Sequence, residues 1–256
     1  MQITLSLKKT LEQNANEYFE KSKKLRKKIQ GTKDTIARFE AQIANLEKKQ
    51  QLEEVRITTV KPKRQVEWFE KFRWFKTSDG FLCIGGRDAT TNEVVIKKHT
   101  DADDIVFHTE MSGSPFFVIK TDGKKASEAS IQEAANATAT FSRAWKLGMT
   151  SVEVFSVTPA QVSKQAPSGE YMSKGSFMIS GKRTHHRAVI ECATGSLNGK
   201  AMTGPETAVR AHCKDAIVIK QGKDKPSDCA KKIAKKLTLE IDDVLRTLPA
   251  GTCQVG

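Results

Sequence analysis

Apolar side chains recur at intervals of four and three residues between residues 11 and 53, and Lys, Glu, Gln and Arg fill most of the other positions. This spacing is the heptad pattern of a coiled-coil helix. The positions on the stripe are Leu11, Ala15, Tyr18, Ser22, Leu25, Ile29, Thr32, Ile36, Phe39, Ile43, Leu46, Gln50 and Glu53. Gly31 lowers the helix propensity halfway along and favours a bend there.

The stripe predicts that this helix has a partner. It carries about eight large apolar side chains, each worth roughly 1.5–3 kcal/mol when buried. The sequence contains no second heptad segment of similar length. We therefore expect the partner helix to come from another chain, either a second copy or a separate polypeptide.

Beyond Pro62, which is expected to end the helix, short apolar runs alternate with helical segments. Strands are predicted at Trp74–Thr77, Phe81–Gly85, Ile105–Phe107, Pro115–Ile119 and Val152–Val157. The first two flank Ser78-Asp79-Gly80 and predict a hairpin. Between the last two strands, a helix of about 18 residues is expected to begin with a capping box at Ser130 and Glu133 and to end at Gly148.

The C-terminal part repeats the pattern, with strands near Ala188–Cys192 and Ala216–Lys220. Helices are expected after Pro205, at Asp228–Leu237 with Ser227 as N-cap, and at Leu239–Leu248. The predicted fold class is α/β, a mixed sheet with packed helices, preceded by a long N-terminal coiled-coil helix. Three domains follow from this division: an arm at 1–60, a central domain at 65–183 and a small α/β extension at 184–256.

The composition indicates a class of partner through its charge. The 256 residues carry a net charge of +13, and hydrophobic residues make up 38%. Residues 1–64 hold 16 Lys and Arg against 8 Asp and Glu, a net +8. Residues 65–183 are nearly balanced, with 15 against 14. A basic arm followed by a nearly neutral central domain favours an acidic partner, either nucleic acid or an anionic membrane surface.

The five cysteines are scattered, without a C-x-x-C pair, so neither a zinc knuckle nor a disulfide framework is indicated. The first ten residues lack the apolar core of a signal peptide, and no apolar run reaches the ~18 residues of a membrane span. We expect a reduced, soluble, cytoplasmic protein that needs no cofactor and does not contact a membrane.

The segment Gln161–Arg183 has the composition of a phosphate-binding surface. Its basic residues are Lys164, Lys174, Lys182 and Arg183, and serines and glycines lie between them. Glycine allows the backbone to approach a ligand closely, and basic and hydroxyl side chains are the usual partners of phosphate oxygens. The basic runs Lys23–Lys28 and Lys61–Arg64 are consistent with phosphate binding, and equally with a solvated helix face.

Three further patterns each allow more than one interpretation. The turn Gly85–Glu93 predicts either an anion site at a helix N-terminus with Arg87 as a fork, or a turn closed by an ion pair of Arg87 with Asp88 or Glu93. His108 and Glu110, after a predicted strand, suit acid–base chemistry or half of a metal site, a structural hydrogen bond, or contact with RNA. Trp68–Lys76, which includes Arg73, interleaves aromatic and basic residues; base stacking and a core at the junction with the arm are both compatible, and the core is favoured.

Trp68–Asp88 (WFEKFRWFKTSDGFLCIGGRD), Asp104–Gly113 and Gln161–Arg183 together resemble the RNA-binding (R) domain of the NFACT family of ribosome-associated quality-control proteins. The resemblance covers about residues 65–183, and the preceding helix resembles the family's second coiled-coil arm. The family's N-terminal domain is not found in this sequence. Where the family often has His, Asp and a second His, this chain has His108, Glu110 and Ser112.

The resemblance implies binding to the large ribosomal subunit with an obstructed nascent chain, through rRNA or tRNA, without catalysis. We expect phosphate contacts by Arg73, Arg87, Lys164, Lys174, Lys182 and Arg183, and a polar or stacking contact by His108. Two alternatives remain open. One is a metal-dependent nucleic-acid-processing enzyme using His108, Glu110 and Asp88; the other is a coiled-coil scaffold.

Overall fold

The computed structural model describes residues 3–58, 66–165 and 172–256. The α-helices are α1 (Leu11–Thr58), α2 (Ala89–Lys98), α3 (Glu128–Thr140), α4 (Arg143–Lys146), α5 (Glu206–His212), α6 (Pro226–Leu237) and α7 (Ile241–Thr247). The strands are β1 (Arg73–Lys76), β2 (Leu82–Gly85), β3 (Ile105–Thr109), β4 (Phe117–Lys120), β5 (Ser151–Val157), β6 (Val162–Ser163), β7 (Met178–Ile179), β8 (Thr184–Val189), β9 (Cys192–Leu197), β10 (Lys200–Gly204), β11 (Ala216–Asp224) and β12 (Cys253–Val255). The chain divides into two compact units, Met1–Gln65 and Val66–Gly256.

Helix α1 dominates the first unit, and local hydrogen bonds fix its start. The Thr10 hydroxyl accepts from the Gln13 backbone N–H at 3.2 Å, and the Gln13 side-chain oxygen accepts from the Thr10 N–H at 3.1 Å. This reciprocal pair satisfies two of the donors that a helix N-terminus leaves free. Asn14 is buried because its side chain donates to and accepts from the backbone of Ser6.

The predicted long helix is confirmed, and α1 continues through Gly31. The large apolar side chains of its stripe are all exposed, between 42% and 77%: Leu11, Tyr18, Leu25, Ile29, Ile36, Phe39, Ile43 and Leu46. The basic run at residues 61–64, together with Pro62, lies outside the described residues. Among the helices that are described, none is both long and apolar enough to cross a membrane.

The second unit is built on a six-stranded sheet of order β1-β2-β4-β3-β5-β8, in which every neighbouring pair is antiparallel. The predicted hairpin is confirmed, because β1 pairs with β2 around Gly80, which has a φ of +90°. Helix α3 packs across β3, β4, β5 and β8. Its fully buried alanines, including Ala134 and Ala137, allow the helix backbone to lie close to the sheet.

The aromatic segment contributes mainly to the core, as the favoured interpretation predicts. Phe72 and Phe75 are fully buried and Trp74 is 4% exposed. Trp68 is half exposed and stacks on His99, with ring centroids 4.6 Å apart. Phe72, Trp74 and Phe75 are therefore not available for base stacking, whereas Trp68 is half exposed and Phe69 is partly buried.

A second antiparallel sheet, of order β10-β9-β11-β12, follows β8 in the same compact unit. Helices α6 and α7 pack together, and α6 covers β9, β11 and β12. Strand β8, the first element of the predicted extension at 184–256, completes the six-stranded sheet of the central domain. The mixed α/β class is confirmed, with antiparallel pairing in both sheets.

Several predicted boundaries are wrong, for local reasons. The N-cap of α3 is Ser127, whose hydroxyl accepts from the Ser130 N–H, so the predicted capping box at Ser130 and Glu133 does not form. The helix also ends at Thr140, before α4. Lys225, and not Ser227, occupies the N-cap of α6, because Pro226 takes the first helical position. The predicted strand at Ala188–Cys192 is two strands, β8 and β9.

Candidate nucleic-acid interface

A cleft of about 510 Å³ opens where β2 ends and α2 begins. Three segments form its walls: Gly86–Ala89 after β2, Ser112–Phe116 between β3 and β4, and Lys174–Phe177 before β7. Arg73, Phe141 and His108 complete the lining together with Asn92 and Ile179. We call this the arginine cleft. It brings together four of the seven predicted contact residues: Arg73, Arg87, His108 and Lys174.

The turn from β2 to α2 is held by its own hydrogen bonds. Asp88 caps α2 by accepting from the Thr91 backbone N–H at 2.8 Å, and this bond is the largest cause of the lowered pKa of the Asp88 carboxyl. The Thr91 hydroxyl accepts from the Arg87 N–H, also at 2.8 Å. The predicted strand–turn–helix is therefore correct, and the Asp88 carboxylate is committed to the cap.

The amide of Asn92 ties two walls of the cleft together. Its Oδ1 atom accepts from the Phe116 N–H at 3.2 Å, and the Gly86 N–H donates to the Phe116 carbonyl at 3.1 Å. A Cβ atom on Gly86 would overlap the Asn92 side-chain oxygen and lie 2.8 Å from its backbone nitrogen. Only glycine leaves room for this connection at position 86.

Replacing Gly86 with Ala should therefore open the cleft and lower stability. We expect Gly86→Ala to reduce the free energy of unfolding by about 1–3 kcal/mol, the usual cost of an added methyl group without space. Urea unfolding of the full chain measures this. The control is Gly31→Ala, where nothing lies within 4 Å of the new Cβ and α1 should gain about 0.5–1 kcal/mol of helix propensity. A Gly86→Ala protein as stable as wild type would contradict the close packing at Asn92.

Two arginines line the cleft, and neither has a carboxylate partner in the part of the chain that the structure describes. Arg73 is only 9% exposed; its Nη1 donates to the Leu248 carbonyl at 3.0 Å, and its guanidinium lies 4.4 Å from the centre of the Phe141 ring. Burial, and next the charge of Arg87, lowers the pKa of Arg73 to about 10. Burial and the charge of Arg246 also lower the pKa of Arg87. These shifts show two cations close together where water is partly excluded.

Arg87 has an unsatisfied donor. Its Nε is buried and has no hydrogen-bond partner among residues 3–58, 66–165 and 172–256. Within the described part of the chain, Arg87 forms none of the ion pairs, and Glu93 pairs with Lys97 and Lys164. The interpretation of this turn as one closed by an Arg87 ion pair is therefore wrong. Since buried donors are nearly always satisfied in folded proteins, the free Nε supports the anion-site interpretation.

His108 forms part of an aromatic wall. Its ring stacks on Phe116, with centroids 4.1 Å apart and planes inclined by 25°. Phe177 meets Phe116 edge-on at 5.3 Å. Burial lowers the pKa of His108 to about 4, although hydrogen bonds with the Ser114 and Thr109 backbone act in the opposite direction. The imidazole is therefore neutral at neutral pH.

The remaining predicted residues lie outside this lining. The Lys164 ammonium donates to the carbonyls of Ser173 and Ser176, both at 3.0 Å, and so fixes the loop that carries Lys174. Arg183 forms an ion pair with Glu110, and its guanidinium lies 4.7 Å from the Phe155 ring centre. Lys182 is exposed. Residues 166–171 of the predicted phosphate-binding segment are outside the described residues.

The loop is pressed against α2 by a glycine. Gly175 has a φ of +80°, and a Cβ atom there would lie 2.6 Å from the Ala89 Cα. This close approach places Lys174 beside the N-terminus of α2, where its charge contributes to the lowered pKa of Asp88. Gly175, one of the glycines spaced along the predicted phosphate-binding segment, therefore holds this loop against α2.

The groups named for a metal-dependent enzyme do not assemble into one set of ligands. His108 stacks on Phe116, Glu110 pairs with Arg183, and Asp88 caps α2. Across residues 3–58, 66–165 and 172–256, no three His, Cys, Asp or Glu side chains are arranged to hold a metal ion.

Sequence reasoning missed Asn92, Phe141 and Phe177. Their roles depend on contacts between distant segments, and a single Asn or Phe gives no local signal. In the sequence, Gly86 could be recognised only as one of two neighbouring glycines, and nothing indicated its contact with Asn92.

An antiparallel sheet with helices, carrying a cleft of arginines and aromatic rings, is typical of modules that bind anions or nucleic acid. Residues 71–181 match the family described as NFACT protein RNA binding domain. The resemblance to the RNA-binding domain of the NFACT family that was seen in the sequence is therefore confirmed.

Two curated relatives agree with this assignment. The archaeal Rqc2 homolog aRqcH of Methanocaldococcus jannaschii is 40% identical over 203 residues, which cover 76% of this chain and 30% of that protein. The human ribosome quality control complex subunit NEMF is 37% identical over 174 residues, which cover 66% of this chain and 16% of that protein. The chain thus spans less than a third of the length of either relative.

Among solved structures, the C-terminal part of the fibronectin/fibrinogen-binding protein from Streptococcus suis aligns with 21% identity and a TM-score of 0.41. The alignment covers 71% of this chain and 77% of that one. A similarity at this level carries no argument about this chain.

Proposed function

We propose that this chain is a non-catalytic, cytoplasmic RNA-binding component of ribosome-associated quality control. It would contact rRNA of the large ribosomal subunit, tRNA, or both, where a nascent chain is stalled. The observation that carries the proposal is the match of residues 71–181 to an RNA-binding family, together with relatives named for ribosome quality control. The cationic cleft within those residues supplies a physical basis for it.

The predicted contact residues divide into two groups, according to whether the side chain already has a partner in the protein. Arg87, Lys174 and Lys182 form no ion pair with a described residue and can contact a phosphate without breaking one, and Arg73 lines the cleft. Lys164 and Arg183 already have protein partners. A phosphate contact by either of these two would have to replace or share those partners, so their contribution is expected to be smaller.

The RNA contact is expected to depend steeply on salt. With four phosphate contacts on a single strand, the slope of log K against log salt is about −2.8, and affinity falls about 50-fold between 50 and 200 mM salt. Fluorescence anisotropy with a labelled single-stranded RNA of about 12 nucleotides measures this, and sedimentation with purified large subunits tests the ribosomal target.

The variant that tests the assignment of the contact residues removes two exposed positive charges. Lys174→Ala combined with Lys182→Ala should weaken RNA binding several-fold and make the salt slope shallower by about 1–2. The control removes the same charge from Lys124 and Lys125, which are exposed in the turn after β4, at the opposite end of that strand from Phe117. Equal affinities for the two double variants would remove the site assignment, and binding that ignores salt would argue for a scaffold.

The arm is part of the same proposal. The exposed stripe of α1 is the expected contact for a second apolar helix, supplied by another copy of this chain or by a separate polypeptide. The basic face of the arm would approach RNA or ribosome, since residues 1–64 hold 16 basic against 8 acidic side chains.

A further inference from the structure

Among the described residues, the lining of the arginine cleft carries more positive than negative charge. Arg73, Arg87 and Lys174 line it, and the one carboxylate of that described lining, Asp88, is committed to the cap of α2. Arg73 is nine-tenths buried, its Nη1 donates to the Thr247 and Leu248 carbonyls, and its guanidinium face lies over Phe141. Its other nitrogens, and the buried Nε of Arg87, have no partner among the residues that the structure describes. Unpaired charged donors inside a cleft point to a bound anion.

The cleft is larger than a lone anion requires. At about 510 Å³ it falls within the 300–1,000 Å³ range of small-molecule sites. Its other walls are rings: Phe116, Phe177 and Phe141, with the neutral imidazole of His108 stacked on Phe116. Flat apolar walls next to a cationic floor suit a ligand that joins a planar ring system to a phosphate.

We propose that the arginine cleft binds one nucleoside monophosphate unit, with the phosphate on Arg73 and Arg87 and the base against the aromatic wall. The unit has two possible sources, a free nucleotide or an unpaired nucleotide of bound RNA. The second source rests on the proposed function, and it would give the domain a preference for single-stranded over duplex RNA, because a paired base is not available to the cleft.

Titration of the full chain with adenosine 5′-monophosphate and, separately, with inorganic phosphate tests the proposal by calorimetry or by NMR shifts. We expect the nucleotide to bind at least about tenfold more tightly than phosphate, since the aromatic wall adds contacts that phosphate cannot make. Arg87→Gln should weaken nucleotide binding about tenfold or more. The matched control is Arg210→Gln on α5, an exposed arginine paired only with Glu206.

A second variant blocks the cleft without changing its charge. Ser112 is exposed at the rim, so Ser112→Trp should leave the fold intact, checked by thermal melting, and abolish nucleotide binding. Equal affinity for nucleotide and phosphate, or nucleotide binding by Ser112→Trp equal to that of wild type, would overturn the proposal. Either of these outcomes would leave the proposed function standing, because RNA binding through Lys174 and Lys182 would persist.

A competition experiment with RNA distinguishes the two possible sources of the bound nucleotide. If a short single-stranded RNA displaces the nucleotide and a duplex of the same sequence does not, the cleft holds a nucleotide of RNA. If neither displaces it, the nucleotide is free in solution and the cleft proposal still stands. RNA binding could also fail altogether while the nucleotide binds; that would remove the proposed function and leave this inference in place.

Discussion

Lowering the pH from 7 to 4 is expected to reduce the free energy of unfolding by about 3 kcal/mol through His108 alone. In the folded protein, burial lowers its pKa from 6.5 to about 4. Between those values the unfolded chain binds the proton and the folded chain does not, so stability rises with pH. The contribution is complete above about pH 6.5 and is lost as the pH falls to about 4.

The two charged residues near His108 shift its pKa in opposite directions. The Glu110 carboxylate raises its pKa and Arg183 lowers it, whereas burial next to Phe116 is the largest cause. Replacing His108 with Gln should therefore remove most of the acid sensitivity between pH 6.5 and pH 4. Urea unfolding at several pH values measures the difference between variant and wild type, which cancels the carboxylates that titrate in the same range.

His185→Gln is the matched control for this experiment. His185 lies on the exposed side of β8, half exposed and paired with Glu153. This variant removes a histidine but keeps the buried imidazole of His108, so the loss of stability attributed to His108 between pH 6.5 and pH 4 should remain. Parallel profiles for wild type and His108→Gln would show that the imidazole is not held in its neutral form by the cleft.

Removing the Asp104 carboxylate is expected to cost about 3–5 kcal/mol, because it removes the buried one of the two carboxylates that pair with the mostly buried Lys120. Asp104 is 3% exposed and forms an ion pair with Lys120, whose side chain is 10% exposed. Its carboxylate also accepts from the backbone N–H groups of Asp101 at 2.7 Å and Thr121 at 3.1 Å. Asp104→Ala therefore removes an ion pair and two hydrogen bonds together.

Asp101 provides a control on the same lysine. Its carboxylate also contacts Lys120, but its side chain is 82% exposed. An exposed ion pair contributes at most about 1 kcal/mol, so Asp101→Ala should have a small effect. Chemical unfolding of both variants measures the contrast. Similar losses for the two would mean that burial is not what makes the Asp104 pair important.

The parts of this molecule that the sequence predicted are those set by local pattern. The stripe of α1 and the hairpin of β1 and β2 follow from spacing and turn chemistry between near neighbours. Where two local signals compete, tertiary packing decides. Ser130 is fully buried against Thr77, with which it shares a hydrogen bond, and so Ser127 forms the cap.

The cleft could be predicted only in part. Arg87 and Lys174 lie in segments whose glycines and charges suggest a ligand. The burial of Arg73 depends on Leu248, which is 175 residues away. Likewise Asn92 joins walls from two separate loops, and nothing in its sequence neighbourhood indicates this.

All five cysteines, Cys83, Cys192, Cys213, Cys229 and Cys253, are free and buried. Burial raises the pKa of Cys83 and Cys192, and the thiolate is the reactive form, so alkylating reagents should modify them only when the second unit opens. The first unit has no cysteine. A Lys24→Cys substitution on the exposed face of α1 would therefore accept a probe selectively, and the slow modification of the native thiols would report the opening rate in the same sample.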